Sequence, residues 1–261
     1  MRIPLRTPFG GWTERRALLL GGSSGWGECS PLAGYAADPA LARRAAEEAA
    51  LQPWPVAVRK QVSVCDLIPA WACRLAAERA RAAVAAGFST VKLKVGTEGD
   101  LDRVAAVRDA LGPAVRLRLD ANGAWDLDTA AWMISRLARY DLELVEQPVS
   151  ELDDLARLRR RVAVRLGADE CLRTLDDARH LARLQAADVA VVKVQTLGGT
   201  RSTIEIIETV GIPVIVSSML ETSIGLAVGL ALAASLPELP YSCGLGTAAL
   251  LDGDVVSEPL V

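Results

Sequence analysis

The sequence predicts an α/β protein: a TIM-type β/α barrel preceded by a small α+β unit. Three observations carry that prediction. From about residue 60 onward, short β-branched runs alternate with Ala- and Arg-rich stretches of helical character. Polar or charged residues close those runs, at Lys92, Asp120, Glu146, Asp169, Lys193 and Ser217, at intervals of roughly two dozen residues, the mark of a repeated βα unit. No glycine-rich phosphate loop follows any early strand, which disfavours a doubly wound open sheet.

Composition bounds the function. A chain of 261 residues that is 51% hydrophobic can build one barrel with a sizeable core. The formal net charge of −3, with no long basic run, argues against nucleic acid as a partner. The five cysteines, Cys29, Cys65, Cys73, Cys171 and Cys243, are scattered without CxxC spacing, so they read as reduced residues of a cytoplasmic protein. No signal peptide is evident. The apolar segment Ile224 to Leu236 is too short for a bilayer and reads as a buried helix, so no membrane partner is expected.

The elements follow in order. In the first unit, Arg15 to Leu20 and Gly25 to Cys29 read as short strands around the turn Gly21-Gly22-Ser23-Ser24. Asp38 and Pro39 supply an N-cap and an N1 proline for a helix to about Ala50, and Gln52-Pro53-Trp54-Pro55 breaks the chain. The barrel then begins. Gln61 to Val64 reads as its first strand, with a helix to Ala86. The strands Thr90 to Val95, Arg116 to Asp120, Glu143 to Glu146, Val164 to Gly167, Val189 to Val194 and Val214 to Ser217 are separated by helices capped by Asp126 or Asp128, by Thr174 and after Gly199. A helix from Ser223 to Leu236 and a short strand from Tyr241 to Gly244 complete it. The predicted organisation is residues 1–59 as the small unit, 60–245 as the barrel, and a tail of about 246–261 that can add to the first unit.

The strand carrying Lys92 and Lys94 organises the chemistry. Residues two apart on a strand point to one face, so two ammonium groups share a side. Burying them on apolar packing would be prohibitive, so anionic groups or a cavity must lie opposite. Lysine is also rare. Only Lys60, Lys92, Lys94 and Lys193 are lysines among the 29 basic residues; the other 25 are arginine. Arginine stays protonated, whereas lysine can surrender its proton, so lysines retained inside strand-like runs suggest proton transfer.

In a barrel of this type, functional groups gather at the C-terminal strand ends. Asp120 and Glu146 stand there, and Asp169 and Glu170 follow Arg165-Leu166-Gly167. Three carboxylates on one rim make a hard-oxygen site suited to Mg²⁺ or Mn²⁺. Asn122 can orient a ligand. A divalent cation between lysines suits removal of a proton next to a carboxylate, with an enediolate formed and a lysine of lowered pKa as base.

The order Lys-x-Lys (Lys92, Lys94), Asp-x-Asn (Asp120, Asn122), Glu-Gln-Pro (Glu146 to Pro148), Ala-Asp-Glu (Ala168 to Glu170) and a later lysine (Lys193) resembles the enolase superfamily, in its muconate-lactonizing-enzyme subgroup. The segment Trp26 to Tyr35 is similar to that family's capping segment, which ends in a loop over the barrel mouth. The resemblance implies a modified β/α barrel with an N-terminal capping domain. It implies Asp120, Glu146 and Asp169 as ligands of Mg²⁺ (Mn²⁺ as substitute), with Glu170 behind them. Lys94 would be the acid/base, Lys92 its electrostatic neighbour, and Lys193 the cation that stabilises the anionic intermediate. The mandelate-racemase branch needs a strand-end histidine, and the single histidine, His180, falls in a predicted helix.

The short cap and the stretch Ser217 to Gly225 are most similar to the members that dehydrate 2-succinyl-6-hydroxy-2,4-cyclohexadiene-1-carboxylate to o-succinylbenzoate in menaquinone biosynthesis. The partner implied is therefore a small carboxylate. Arg118, on the face of Asp120, is either a substrate contact or a core arginine paired with an acid, and Ser217 and Ser218 are candidates to hold a substrate carboxylate. Asp252-Gly253-Asp254 superficially resembles the Asp-x-Asp of dipeptide epimerases but falls after the last strand. Three other readings use the same residues: an N-succinylamino acid racemase or dipeptide epimerase, a Schiff-base barrel with Lys94 or Lys193 as nucleophile, and a non-catalytic binding barrel.

Overall fold

The computed structural model describes residues 1–32, 35 and 38–260. Two antiparallel hairpins open the chain. Strands β1 (Arg2–Phe9) and β2 (Trp12–Arg16) form the first, and β3 (Leu18–Gly22) and β4 (Gly25–Cys29) the second. The single strand expected from Arg15 to Leu20 is therefore split, with buried Ala17 at the break between two sheets. Strand β1 was not anticipated, because Pro4 and Pro8 mask an alternation that buries Ile3 and Leu5. Proline is tolerated there because a two-stranded ribbon consists of edges. Ile3 and Leu5 pack with Leu251 of the C-terminal tail, and Leu5 pairs with Leu251 in an antiparallel bridge.

Helix α1 (Pro39–Leu51) begins where Asp38 accepts the Ala40 amide at 2.8 Å. It buries a row of alanines, Ala42, Ala45, Ala46, Ala49 and Ala50, against β4. The approach is close enough that a Cβ on Gly27 would sit 1.9 Å from the Ala46 carbonyl oxygen, so only glycine fits there.

Seven parallel strands follow in sequence order: β5 (Asp66–Ile68), β6 (Thr90–Lys94), β7 (Arg116–Asp120), β8 (Leu142–Glu146), β9 (Leu166–Ala168), β10 (Val189–Val192) and β11 (Val214–Val216). Helices α2 (Cys73–Ala85), α3 (Asp100–Leu111), α4 (Leu127–Leu137), α5 (Leu152–Arg159), α6 (Leu175–Leu184) and α7 (Thr200–Val210) cross over between them, and α8 (Ser223–Ser235) follows β11. The predicted last strand is reduced to two parallel bridges, Ser217 with Gly244 and Val64 with Cys243, which join β11 to the segment before β5 and close the ring. The first barrel strand lies a few residues later than expected. Asp66, past the expected strand end at Val64, is buried in β5 and paired with Arg79 of α2. Asp126 rather than Asp128 caps α4, accepting the Thr129 amide at 2.8 Å. Among the described residues, no helix is long and apolar enough to cross a membrane.

The period of two along each strand stacks the barrel interior in layers. Leu144, Val189, Val191 and Ile215 form an apolar cluster of their own. In the same phase on the same strands or just beyond their ends stand Glu146, Lys193 and Ser217. The interior is thus mainly apolar below, with Arg118 in register with Leu144, and charged at its C-terminal mouth.

Candidate active site

Strand register places the first part of the site. Lys94 lies opposite Asp120, and Asp120 opposite Glu146. Glu146 lies opposite Gly167, and the chain continues two residues to Asp169. Lys193 follows β10 directly. Three neighbouring strands therefore deliver Asp120, Glu146 and Asp169 to one rim, flanked by lysines from β6 and β10.

Each acid is turned onto a lysine. The Lys92 ammonium lies between Asp120 Oδ2 at 3.0 Å and Glu146 Oε1 at 2.9 Å. Lys94 donates to Asp120 Oδ2 at 2.6 Å and to Asn122 Oδ1 at 2.7 Å. Lys193 grips both oxygens of Asp169. Asn122 passes the chain of contacts on, its side-chain amide donating to Glu170 Oε1 at 2.7 Å. The Glu-Gln-Pro motif also acquires a function. Gln147, at a left-handed φ of 40°, accepts the amides of Asp169 (2.7 Å) and Cys171 (3.3 Å) on its side-chain Oε1 and so fixes the loop carrying Asp169.

These contacts set the charges. Burial works against the ammonium form of Lys92, but Asp120, Glu146 and Asp169 outweigh it and hold its pKa well above the ordinary lysine value. Lys193 is likewise raised, with burial overcome by Asp169, Glu170 and Glu146. Both lysines are therefore held as ammonium groups, as the fixed charge expected of Lys193 requires. Burial opposes ionisation of Asp120, yet Lys92 and Lys94 pull it well below the carboxylate range. Glu146 goes the other way: burial, then Asp120 and Asp169, push it up to about 8 despite Lys92.

Among the described residues, no three His, Cys, Asp or Glu side chains stand around a common point, because the lysines lie between the acids. The donor set nevertheless fits a divalent cation. Asp120, Glu146, Asp169 and Glu170 face only Lys92, Lys94 and Lys193, which leaves one negative charge over. Glu146 is correspondingly hard to ionise, and Glu170 Oε2 is buried with no hydrogen-bond partner among the described residues. All the donors are carboxylate oxygens, the ligands of Mg²⁺ and Mn²⁺.

A cavity of about 700 Å³ opens above this floor, and the first unit roofs it with Pro8, Trp12 and Leu32. The expected loop over the barrel mouth includes Ala33 and Gly34, which lie outside the described residues; Tyr35 is described. Its hydroxyl accepts from Lys193 Nζ at 2.7 Å and donates to Glu170, and its ring lies 5.0 Å from the same ammonium. Burial, then Asp169 and Glu170, raise the phenol pKa well above its usual value. Nothing in a single sequence marks Tyr35, 158 residues away, as the partner of Lys193.

The roof is tied down by buried polar groups. Glu28 accepts from the amides of Thr222 (3.1 Å) and Gly225 (3.1 Å) at the start of α8. Arg15 donates to the carbonyls of Ser30 and Leu220. Glu221, beside them, is pushed up to about 7 by burial and then by Glu28.

The remaining sequence candidates divide. Ser217 and Ser218 line the cavity, and the Ser218 hydroxyl lies 2.8 Å from that of Thr247. Arg118 does not line it. At 1% exposure it pairs with Glu143, donates to the Ser242 carbonyl at 2.7 Å and stacks over Tyr241. It is a barrel-core arginine below the charged layer, and the substrate contact is withdrawn. His180 is a surface residue of α6 beside Asp153 and Arg183. Asp254 caps α8 by accepting the Ser223 hydroxyl at 2.7 Å, so the Asp-Gly-Asp sequence has a structural use outside the cavity.

The comparisons agree with this architecture. A family model described as Enolase C-terminal domain-like matches residues 75–261, and one described as Enolase N-terminal domain-like matches residues 1–50. The chain is 50% identical over 267 aligned residues to the o-succinylbenzoate synthase of Thermobifida fusca, covering 99% of this chain and 83% of that protein. It is 41% identical to the o-succinylbenzoate synthase of Mycolicibacterium smegmatis, covering 99% and 81%. Among solved structures, the dipeptide epimerase of Enterococcus faecalis V583, complexed with Mg and the dipeptide L-Leu-L-Tyr, superposes with a TM-score of 0.86 at 25% identity, covering 100% of this chain and 92% of that one.

Proposed function

Since the chain belongs to the enolase superfamily, and within it to the o-succinylbenzoate synthases, we propose that it dehydrates 2-succinyl-6-hydroxy-2,4-cyclohexadiene-1-carboxylate to o-succinylbenzoate, a step of menaquinone biosynthesis. The observation that carries the substrate is the identity to the synthases over 99% of this chain. The reaction class is supported by the lysines set on opposite sides of one carboxylate floor.

Asp120, Glu146 and Asp169 would hold a divalent cation, Mg²⁺ by donor chemistry with Mn²⁺ as substitute. When bound, that ion supplies positive charge for the enediolate that develops at the substrate carboxylate. Lys94, in its neutral form, takes the proton α to the carboxylate. The electron pair left behind expels the hydroxyl group, which departs as water with the proton returned from Lys94. No oxidant is needed: the ring loses one water and becomes aromatic. Asn122 fixes the Lys94 ammonium through its side-chain oxygen. Lys193 stays protonated, held by Asp169 and Tyr35, and faces the anionic intermediate as a fixed charge. Residues 1–59 act as the cap that excludes water. The unpaired cysteines fit a reducing, cytoplasmic setting.

The test is direct. Purified protein with Mg²⁺ should remove the ultraviolet absorbance of the cyclohexadiene, and an unchanged spectrum would refute the assignment. An N-succinylamino acid racemase or dipeptide epimerase is the second reading, favoured by the likeness to the E. faecalis epimerase. Lys193→Arg separates them. Arginine keeps the charge but cannot act as a base. Dehydration should fall by no more than about tenfold, whereas two-base racemisation should fall by about 10³-fold or more. Equal loss of both would mean that Lys193 exchanges protons in the dehydration too.

A further inference from the structure

We propose that Arg173 recognises the succinyl carboxylate of the substrate and so makes the cavity selective for dicarboxylates. The inference rests on the dehydratase reading above and names the group that holds the far end of its substrate.

Arg173 lies in the turn between β9 and α6, directly before the N-cap Thr174. It is anchored at two points. Its backbone amide donates to Asp177 Oδ2 at 3.1 Å, and its Nε donates to the Glu170 carbonyl at 2.7 Å. The guanidinium is thus tethered by one nitrogen, and its two terminal nitrogens have no hydrogen-bond or ion-pair partner among the described residues. The side chain lines the cavity, where it is the one guanidinium among the described lining residues.

Every other cation in that wall is engaged. Lys92 is shared by Asp120 and Glu146, Lys94 by Asp120 and Asn122, and Lys193 by Asp169 and Tyr35. With a divalent ion on the acids and Lys94 neutral, as proton removal requires, the floor is balanced before the substrate adds its ring carboxylate. The succinyl carboxylate is then a second anion in a cavity whose walls include Leu32, Leu67 and Trp71, and it needs a cation of its own. A tethered guanidinium with two free N–H edges offers the paired geometry that a carboxylate takes best. The neutral alternative in the wall is the hydroxyl pair of Ser218 and Thr247, whose contact at 2.8 Å uses one of the two O–H groups and leaves a single uncharged donor.

The experiment measures binding, independently of turnover. Calorimetry on the full chain with Mg²⁺ gives the dissociation constants of o-succinylbenzoate and of 2-butanoylbenzoate, which replaces the succinyl carboxylate by a methyl group. The wild type should prefer the diacid by about tenfold to a hundredfold. In Arg173→Met that preference should collapse to about twofold or less, through weaker diacid binding with the monoacid unchanged, and Arg173→Lys should restore part of it. The unchanged monoacid also shows that the variant is folded. A preference that survives in Arg173→Met, or is lost instead in Ser218→Ala, overturns the proposal, as does a wild type with no preference. The two readings fail separately. If the wild type dehydrates the cyclohexadiene while the preference is unmoved, only the assignment of Arg173 falls; if it does not dehydrate, the function falls first.

Discussion

Lys94→Ala is expected to lower kcat for dehydration by about 10⁴-fold, the upper range for a general acid–base group, because one side chain serves both proton steps. The neighbouring lysine cannot replace it. Lys92 is buried between Asp120 and Glu146, at 3.0 and 2.9 Å, and both acids hold it in the ammonium form. Lys94 is the less buried of the two and reaches the cavity above them. The variant should remain folded, since Asp120 keeps Lys92 as its counter-ion when Lys94 is removed. Product binding and circular dichroism therefore serve as controls. Lys94→Arg should be nearly as inactive as the alanine variant, because arginine retains charge but not basicity. That outcome, set against the retained activity expected of Lys193→Arg, distinguishes a base from a fixed charge. If Lys94→Ala kept more than a tenth of the wild-type rate, the assignment of the base would be wrong.

The parts of this molecule that were legible in the sequence are those fixed by local periodicity. A strand alternates faces, so Lys92 and Lys94 declared a charged layer before any neighbour was known, and the strand-end acids followed from the same spacing. Features were missed where a distant residue decided the local structure. The first barrel strand was set too early, at Gln61 to Val64, and the strand that forms includes Asp66, whose partner, Arg79, is on the next helix. Strand β1 was hidden by prolines that its edge position tolerates and by a core completed by Leu251. Arg118 shares a face with Asp120, but its height in the barrel is what matters: one layer down, it meets Glu143 instead of the cavity. Tyr35 reaches Lys193 only because the cap folds over the barrel, and no spacing encodes that. That Lys92 is held as an ammonium was out of reach for a related reason: the acids that hold it, within 3.0 Å, come from the neighbouring strands.

Removing divalent cations with EDTA is expected to suppress dehydration by at least about 10³-fold, and restoring Mg²⁺ to recover it. Asp120, Glu146, Asp169 and Glu170 crowd one floor with three ammonium groups, and Glu146 responds with a pKa pushed up to about 8, by burial first and then by Asp120 and Asp169. Like charges so placed would be relieved by one more cation, and Glu170 Oε2 has no hydrogen-bond partner among the described residues. The same excess charge makes the cation a stabiliser of the fold. At a hundredfold over its dissociation constant, a ligand bound only by the native state adds about 2.7 kcal/mol. For a chain of this size that is a rise in Tm of roughly 5–10 °C. The thermal shift reads the site without any turnover, so it separates a lost metal from a lost base: Lys94→Ala should keep the shift, whereas Glu146→Gln should lose most of it. Activity indifferent to EDTA, with no thermal shift, would sink the metal assignment. It would leave an imine on Lys94 or Lys193 as the competing chemistry, which borohydride reduction in the presence of substrate would trap as a covalent adduct.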